Sequence, residues 1–494
     1  MPTQRNPWLA LGALVVGFFM ILLDVTIVAV ANPAIMTGLG ADISQVIWVT
    51  SAYLLTYAVP LLITGRLGDR FGPKNIYLIG LAVFTLASLW CGLSGSIETL
   101  IAARAVQGLG AALMTPQTMA VITRTFPPNG RGAAMGMWGA VAGLATLIGP
   151  ILGGVLVDGL GWEWIFIVNV PVGVIAFALA VWLVPSLPTH QHKFDWLGVV
   201  LSAVGMSLLV FGIQEGNTKD WSGQIWAMIV AGIVVLAVFV ATQARGSGEP
   251  LLPLPLFRDR NFSLSNLAIA SMGAAVTAVM VPLYFYLQAV HGMTPTRSAL
   301  VLAPMAIITG FAAPVVGKLS GRWHPRLIPT IGFLLFAVSI FWFAVVMRDP
   351  HASITWLVVG GAVAGVSNAC IWAPLATTAT HNLPISQAGA GAGVYNTTRQ
   401  VGSVLGSAAI SALIAGRMSA AGLGGAPAGE GMGGGQVPEQ VRQAFSTALS
   451  QATYLPAALL LVGVVASALF IRFQPGDAPD ETPSDLAEAD SLTR

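Results

Sequence analysis

The decapeptide GRLGDRFGPK at Gly65–Lys74 returns in outline at Gly317–Arg326 as GKLSGRWHPR. Gly65, Arg66, Leu67, Arg70, Pro73 and Lys74 have counterparts in Gly317, Lys318, Leu319, Arg322, Pro325 and Arg326. Each copy lies between two long apolar stretches, so a polar, basic hairpin has been duplicated together with its flanking segments. A repeat of this size in a hydrophobic chain implies two related halves, each crossing a membrane several times.

The composition leaves no soluble alternative. Apolar residues make up 55% and charged residues 9% of the 494 positions, where soluble domains carry about 25% charge. So few charges cannot cover a soluble surface of this size, and an integral membrane protein is expected. No basic run with interleaved aromatics points to nucleic acid. Cys91 and Cys370 lie in apolar stretches of different halves, which indicates neither a disulfide framework nor a metal site. The histidines (His190, His192, His291, His324, His351, His381) all fall in expected loops, so no intramembrane imidazole is available for metal or proton chemistry. No cofactor is called for. The first apolar stretch is too long for a signal-peptide core and contains Asp24, so it reads as a retained span.

Windows of spanning length fall near 8–31, 45–64, 76–94, 97–119, 133–158, 164–184, 196–215, 222–243, 264–289, 298–319, 328–347, 354–378, 389–416 and 452–472, fourteen in all. With a cytoplasmic N-terminus, fifteen Lys and Arg fall on the inner side and five on the outer, leaving Arg104 and Arg399 inside spans. This bias places both termini in the cytoplasm. The repeat matches the hairpin after span 2 to the hairpin after span 10. The expected fold is therefore an all-α integral membrane protein of two six-helix bundles plus two linker helices, fourteen spans in total. Residues 1–190 form the N-terminal half, 191–262 the linker helices and following loop, and 263–472 the C-terminal half. A Gly-rich external loop is expected at 417–450 and a disordered acidic tail at 473–494.

Asp24 is the one acid well inside a span of either half, since Glu215 sits at the outer end of span 7. A carboxylate in hydrocarbon is costly unless paired, hydrated or functional. It is a candidate for proton coupling or substrate binding; a structural ion pair, or a polar kink near Asn32–Pro33, is the other reading. Asp24 lies seven residues before the outer end of span 1, and Arg104 seven after the outer start of span 4. At ~1.5 Å per residue both sit roughly 10 Å below the surface, so they can face each other. Whether that pairing is functional or structural stays open.

Gly136, Gly149, Gly153 and Gly154 let a neighbouring helix approach closely, while Pro150 removes a helix donor and bends span 5. Arg66, Asp69, Arg70 and Lys74 suit a cytoplasmic gate, although basic loops also serve orientation alone. Asp69 is an acid that orientation does not require. Arg399 has no acid of the C-terminal half at membrane depth to pair with; its partner is Asn396, Gln400, a helix carbonyl or a water-filled cavity. Tyr53, Tyr57, Gln117, Trp138, Tyr284, Gln288, Asn368, Trp372, Tyr395 and Asn396 offer aromatic and amide groups near mid-membrane, either lining a cavity for amphipathic compounds or packing and anchoring helices.

These segments together resemble the major facilitator superfamily, specifically its fourteen-span drug:proton antiporters of the EmrB/QacA type. GRLGDRFGPK is similar to that superfamily's loop signature between spans 2 and 3. RAVQGLGAA (Arg104–Ala112) is similar to its span-4 motif, GPILGG (Gly149–Gly154) with Gly136 to its antiporter motif, and LDVTIVAVANP (Leu23–Pro33) to the span-1 motif of the fourteen-span group. WEWIFIVNVPVG (Trp162–Gly173), FDWLG (Phe194–Gly198) and LFRDRNFS (Leu256–Ser263) resemble further marks of that group. Ala145, Ala29, Asn32 and Gly321 depart from its patterns. The resemblance implies proton transfer involving Arg104, a hinge and seal at the glycines of span 5, and gating by Gly65, Arg66, Asp69, Arg70, Lys74, Lys318 and Arg322. It implies a monomer, with membrane lipids, protons and small amphipathic or cationic substrates as partners, exporting from a bacterial-type cell membrane. No GxxxxGK[ST] loop is present, so a proton gradient is the natural energy source. Export of a lipid or one endogenous metabolite is an alternative, and a non-transporting membrane sensor a remote one. An intramembrane enzyme is disfavoured, because no nucleophile–base or metal cluster falls in the spans.

Overall fold

The computed structural model describes residues 6–126, 128–187, 189, 195–216, 218–245, 251–252, 254–320, 324–380, 388–422 and 439–472. Among these, every regular element is helical. In chain order the helices are α1 (Pro7–Leu39), α2 (Ile43–Ala58), α3 (Leu61–Phe71), α4 (Pro73–Gly92), α5 (Ile97–Thr125), α6 (Pro128–Leu160), α7 (Trp164–Ile167) and α8 (Asn169–Leu183). They continue with α9 (Trp196–Gln214), α10 (Gly223–Arg245), α11 (Arg260–Phe285), α12 (Pro295–Ser320), α13 (Leu327–Val346), α14 (Ile354–Thr380), α15 (Ala388–Ala420) and α16 (Glu439–Ala468). A π turn at Tyr286–Val290 prolongs α11.

Local chemistry sets the boundaries. Asn6 caps α1 by accepting from the Trp8 amide at 3.0 Å, and Gly40 closes the same helix in the left-handed region at φ 62. Asp42 and Gln45 form a capping box at the start of α2, and Ser96 with Thr99 another at the start of α5. Gly72 turns the chain at φ 89 between α3 and α4, a conformation a side chain would resist, and Pro73 opens α4.

Twelve helices among the described residues are long and apolar enough to cross a membrane. The expected spans at 45–64 and 133–158 are absent from that set. The first is divided at Val59–Pro60, because Pro60 cannot donate the hydrogen bond that would carry the helix on. The second falls within the continuous helix α6, of which Ile148–Leu160 is an apolar helix among the described residues. The repeated segment is also not the loop its polarity suggests: α3 stays helical through Phe71, leaving Gly72 as the turn. α16 begins at Glu439 rather than near 452, and α15 continues to Ala420, so the connection between them is shorter than 417–450. The tail at 473–494 lies outside the described residues.

Outward faces are apolar. Phe311, Leu86, Trp182, Leu93 and Val174 are each well over half exposed, and α9 and α10 pack mainly on each other. A surface of this kind is stable against lipid rather than water. Inside, α1 packs on α6, α8 and α5; α5 packs on α4 and α2. Separately, α11 packs on α15, α16 and α14, while α13 contacts α14 and α16, and α12 contacts α14. The two groups meet chiefly where α6 touches α12, α2 touches α15 and α1 touches α11.

In lipid no hydrophobic force draws helices together, so close packing must do so. Gly402 and Gly406 of α15 lie one turn apart against Ala270 and Ala274 of α11. A Cβ on Gly406 would sit 2.4 Å from the Ala274 carbonyl oxygen and 2.5 Å from its Cα. Gly406→Ala is therefore expected to separate α11 from α15 at a cost of about 1–3 kcal/mol, lowering the melting temperature of the purified protein in detergent. Gly393→Ala, on the same helix with nothing within 4 Å of the new methyl, should leave it unchanged or slightly higher.

Candidate functional site

α1, α2, α4, α5 and α8 converge on one buried polar centre. Asp24 lies near the middle of α1 and is fully buried, as is Arg104 of α5 at 1% exposure. The Arg104 Nη1 donates to Asp24 Oδ2 at 2.5 Å. The other carboxylate oxygen accepts from the Gln107 amide at 2.9 Å and from the Asn169 amide at 3.2 Å. Three donors on two further helices thus hold one carboxylate.

The guanidinium is equally committed. Its Nη1 also donates to Gln107 Oε1 at 2.7 Å, its Nε donates to the Val49 carbonyl of α2 at 3.1 Å, and its carbon stands 4.1 Å from the centre of the Tyr53 ring. Ser88 of α4 accepts from both Gln107 and Asn169 and passes its own hydrogen to the Phe166 carbonyl at 3.0 Å. Cys91 donates weakly to Gln107 Oε1 at 3.6 Å. The centre is buried and its polar atoms are largely taken up by hydrogen bonds to one another. A low-dielectric surround strengthens every contact and penalises any charge left alone.

Asp24 and Arg104 were both singled out in the sequence; Gln107, Asn169 and Ser88 were not. Gln107 lies three residues beyond Arg104 in RAVQGLGAA, and so on the same helix face. Asn169 sits inside WEWIFIVNVPVG. Both were legible as polar residues within motifs, whereas nothing in sequence marks Ser88.

The span-5 glycines are contact points. A Cβ on Gly149 would meet Thr26 Oγ1, and one on Gly153 would press on Ile27, both of α1. A Cβ on Gly154 would lie 2.5 Å from Thr296 Cα at the start of α12. Pro150 lies inside α6 between these contacts. Nearby, Asp158 accepts from the Thr296 amide at 3.1 Å, and Gln288 donates to the Val30 carbonyl at 2.9 Å. Together these join α6 to α12 and α11 to α1 at the end of the molecule remote from Asn6. Asp158 is a contact between the two helix groups that the sequence did not flag.

The remaining candidates are dispersed. Gln117 is buried and donates to the Thr64 carbonyl at 2.7 Å, tying α5 to α3 rather than facing a cavity. Tyr284 is fully buried in the core of the second group. Tyr57 bonds Thr115 at 2.8 Å and lies 5.8 Å from Tyr53, ring to ring. Asn368 accepts from the Trp372 indole at 3.0 Å, and Trp372 lies 5.9 Å from the Arg399 guanidinium. Tyr395 and Asn396 share α15 with Arg399. A Cβ on Gly65 would make only ordinary contact with Pro116, Arg70 is exposed beside Phe71, and Lys74 donates to the Val181 carbonyl of α8 at 2.7 Å. That bond stays within the first helix group, so it does not close a gate between the two. The side chains of Arg66, Asp69, Trp138 and Lys318, any contact at Gly136, and Arg322 entire lie outside the described residues.

A helical bundle with an apolar exterior and a charge pair sequestered among its helices defines a multi-pass membrane protein. The sequence profile of the Major Facilitator Superfamily matches residues 14–407, and the chain belongs to that family of transporters. It is 52% identical over 492 residues to the uncharacterised MFS-type transporter Rv1250 of Mycobacterium tuberculosis, across 99% of this chain and 85% of that one. It is 35% identical to the tetracenomycin C resistance and export protein of Streptomyces glaucescens, across 84% and 77%. It is also 28% identical to the riboflavin transporter RibZ of Clostridioides difficile, across 95% and 98%. The fold is shared with the crystal structure of a bacterial homologue of the human lysosomal transporter Spinster, at TM-score 0.65 and 19% identity, across 96% of this chain and all of that one.

Because both partners are buried, removing either leaves the other uncompensated. Asp24→Asn and Arg104→Gln are each expected to cost about 3–5 kcal/mol, and the double variant less than the sum of the two. A double-mutant cycle on unfolding in detergent measures this; additive losses would mean that the pair is not energetically coupled.

Proposed function

We propose that the chain is a proton-coupled secondary exporter of amphipathic organic compounds in a bacterial cell membrane. Fourteen spans with both termini in the cytoplasm would form two six-helix halves, 1–190 and 263–472, joined by the α9–α10 pair and rocking about a central site. The observation that carries this reading is the Asp24 centre. One carboxylate links α1 to α5 directly and to α8 through Asn169, and a single proton can dissolve that linkage.

Protonation removes the negative charge that holds Arg104, Gln107 and Asn169. An interaction of about 3–5 kcal/mol is lost on one side of the balance. A two-state equilibrium moves from 1:99 to 99:1 with about 5.5 kcal/mol, so one proton supplies most of such a shift. Arg104 retains the Val49 carbonyl, Gln107 and the Tyr53 ring when Asp24 is neutral, which keeps the cation tolerable while the helices rearrange. With the termini inside, the contacts at Gly154–Thr296, Asp158–Thr296 and Gln288–Val30 close the outer end, and the molecule as described would receive cargo from the cytoplasm.

Similarity to an antibiotic-export protein supports efflux as the direction. A second reading, a transporter dedicated to one endogenous metabolite, is favoured by similarity to a riboflavin transporter along nearly the whole chain. Cargo breadth separates the two.

Proton release from energised inside-out vesicles, recorded with a pH-sensitive dye while candidate compounds are added, tests the proposal. Wild-type protein should release protons in step with compound uptake. Asp24→Asn should bind cargo yet lose the linked proton movement. Compound uptake by Asp24→Asn with unchanged proton release would remove Asp24 from the coupling role.

A further inference from the structure

Arg399 is the second cation at the depth of the spans, and it is placed very differently from Arg104. Residues 260–429 contain one acid, Asp349, which lies in the turn between α13 and α14. No acid among the described residues pairs with Arg399. Its Nε is buried and without an acceptor. The guanidinium carbon stands 5.9 Å from the Trp372 ring of α14. Tyr57 of α2, a helix that packs on α15, lies close enough for Arg399 and Gln400 to act on its hydroxyl. The hydroxyl of Tyr395 and that of Thr397, on the same helix, are also buried without partners. Arg399 therefore sits on α15 where that helix meets α2 of the first helix group and α14 of its own, beside the Trp372 ring.

An unpaired guanidinium donor shut away from water costs free energy until an acceptor arrives, and an anionic oxygen is its strongest partner. The neighbouring rings and hydroxyls can stack against an aromatic body and supply further hydrogen bonds. Asp24 offers no compensation here, because its charge is already matched by Arg104. We propose that Arg399, with Tyr57, Trp372 and Gln400, is the recognition subsite for the anionic group of an aromatic cargo. The described intramembrane charges then sum to one positive before cargo binds, so a cationic compound is repelled and an aromatic carboxylate or sulfonate is drawn in. The inference rests on the transport reading and fixes the sign of the cargo within it.

Two probes with the same ring system and permanent, opposite charges test it: 1-pyrenesulfonate and 1-pyrenemethyl-trimethylammonium. Binding to the purified full-length chain is followed by tryptophan-to-pyrene energy transfer. Wild type should bind the sulfonate about ten- to a hundredfold more tightly than the ammonium probe, the factor a charge-assisted hydrogen bond contributes. Arg399→Gln should erase that preference, and Arg399→Lys should keep most of it, with unchanged melting temperatures showing that the variants are folded. Equal binding of both probes by wild type, or a preference that survives Arg399→Gln, overturns the proposal. Flux of the same probes in energised inside-out vesicles separates the two readings. Proton-linked movement of the ammonium probe but not the sulfonate would overturn the anion subsite and leave transport standing. Movement of neither by protein that binds the sulfonate as expected would count against transport and not against the subsite.

Discussion

A carboxylate at the centre of a hydrocarbon-embedded bundle must be neutralised, and the arrangement of α1, α2, α4, α5 and α8 follows from how that is done for Asp24. Arg104 supplies the opposite charge, but a guanidinium has more donors than one carboxylate can absorb. Gln107 and the Val49 carbonyl take up part of the surplus, and the Tyr53 ring faces the cation. Gln107 and Asn169 in turn need a further acceptor, which Ser88 provides. Each satisfied group recruits the next, so one buried charge dictates which faces of five helices meet. Such a pair adds little net stability compared with apolar packing of the same volume.

The second constraint is distance. Helices in lipid associate through close contact, and several contacts here leave no room for even a methyl group. Gly402 and Gly406 admit α11 against α15, Gly149 and Gly153 admit α1 against α6, and Gly154 admits the first turn of α12. These differ in consequence. The α11–α15 and α1–α6 seams lie within a helix group and hold it together. The α6–α12 seam lies between groups, is polar at Asp158 and closes tightly on Gly154.

Arg104 and Arg399 show how one residue type acquires opposite meanings from its surroundings. Arg104 is enclosed by a carboxylate, an amide, a carbonyl and a ring, and it serves as the counter-ion of Asp24. Arg399 faces rings and hydroxyls with its Nε unanswered. Among the described residues, the first helix group pairs Asp24 with Arg104, whereas in the second the Arg399 Nε has no acceptor.

The sequence alone determined the class of molecule. Too few charges to cover a soluble surface, apolar windows of spanning length and a repeated basic segment dictate a helical membrane protein, because an isolated backbone in lipid has few other ways to satisfy its hydrogen bonds. It also determined which residues were out of place: Asp24, Arg104 and Arg399 are costly wherever the chain folds, so burial cost by itself marks them. Tertiary structure decided the rest. Pro60 splits a continuous apolar window, and helix α3 persists through a segment as polar as a loop, since amphipathic helices tolerate charge where one face is packed. Ser88, Asn169 and Gln107 are ordinary polar residues until packing brings Gln107 and Asn169 within 3.2 Å of both Asp24 and Ser88. Gln117 and Tyr284, which by type suit a cavity wall, are instead enclosed by neighbouring helices. Residue chemistry sets what a side chain requires, and only the packing decides what stands close enough to meet that requirement.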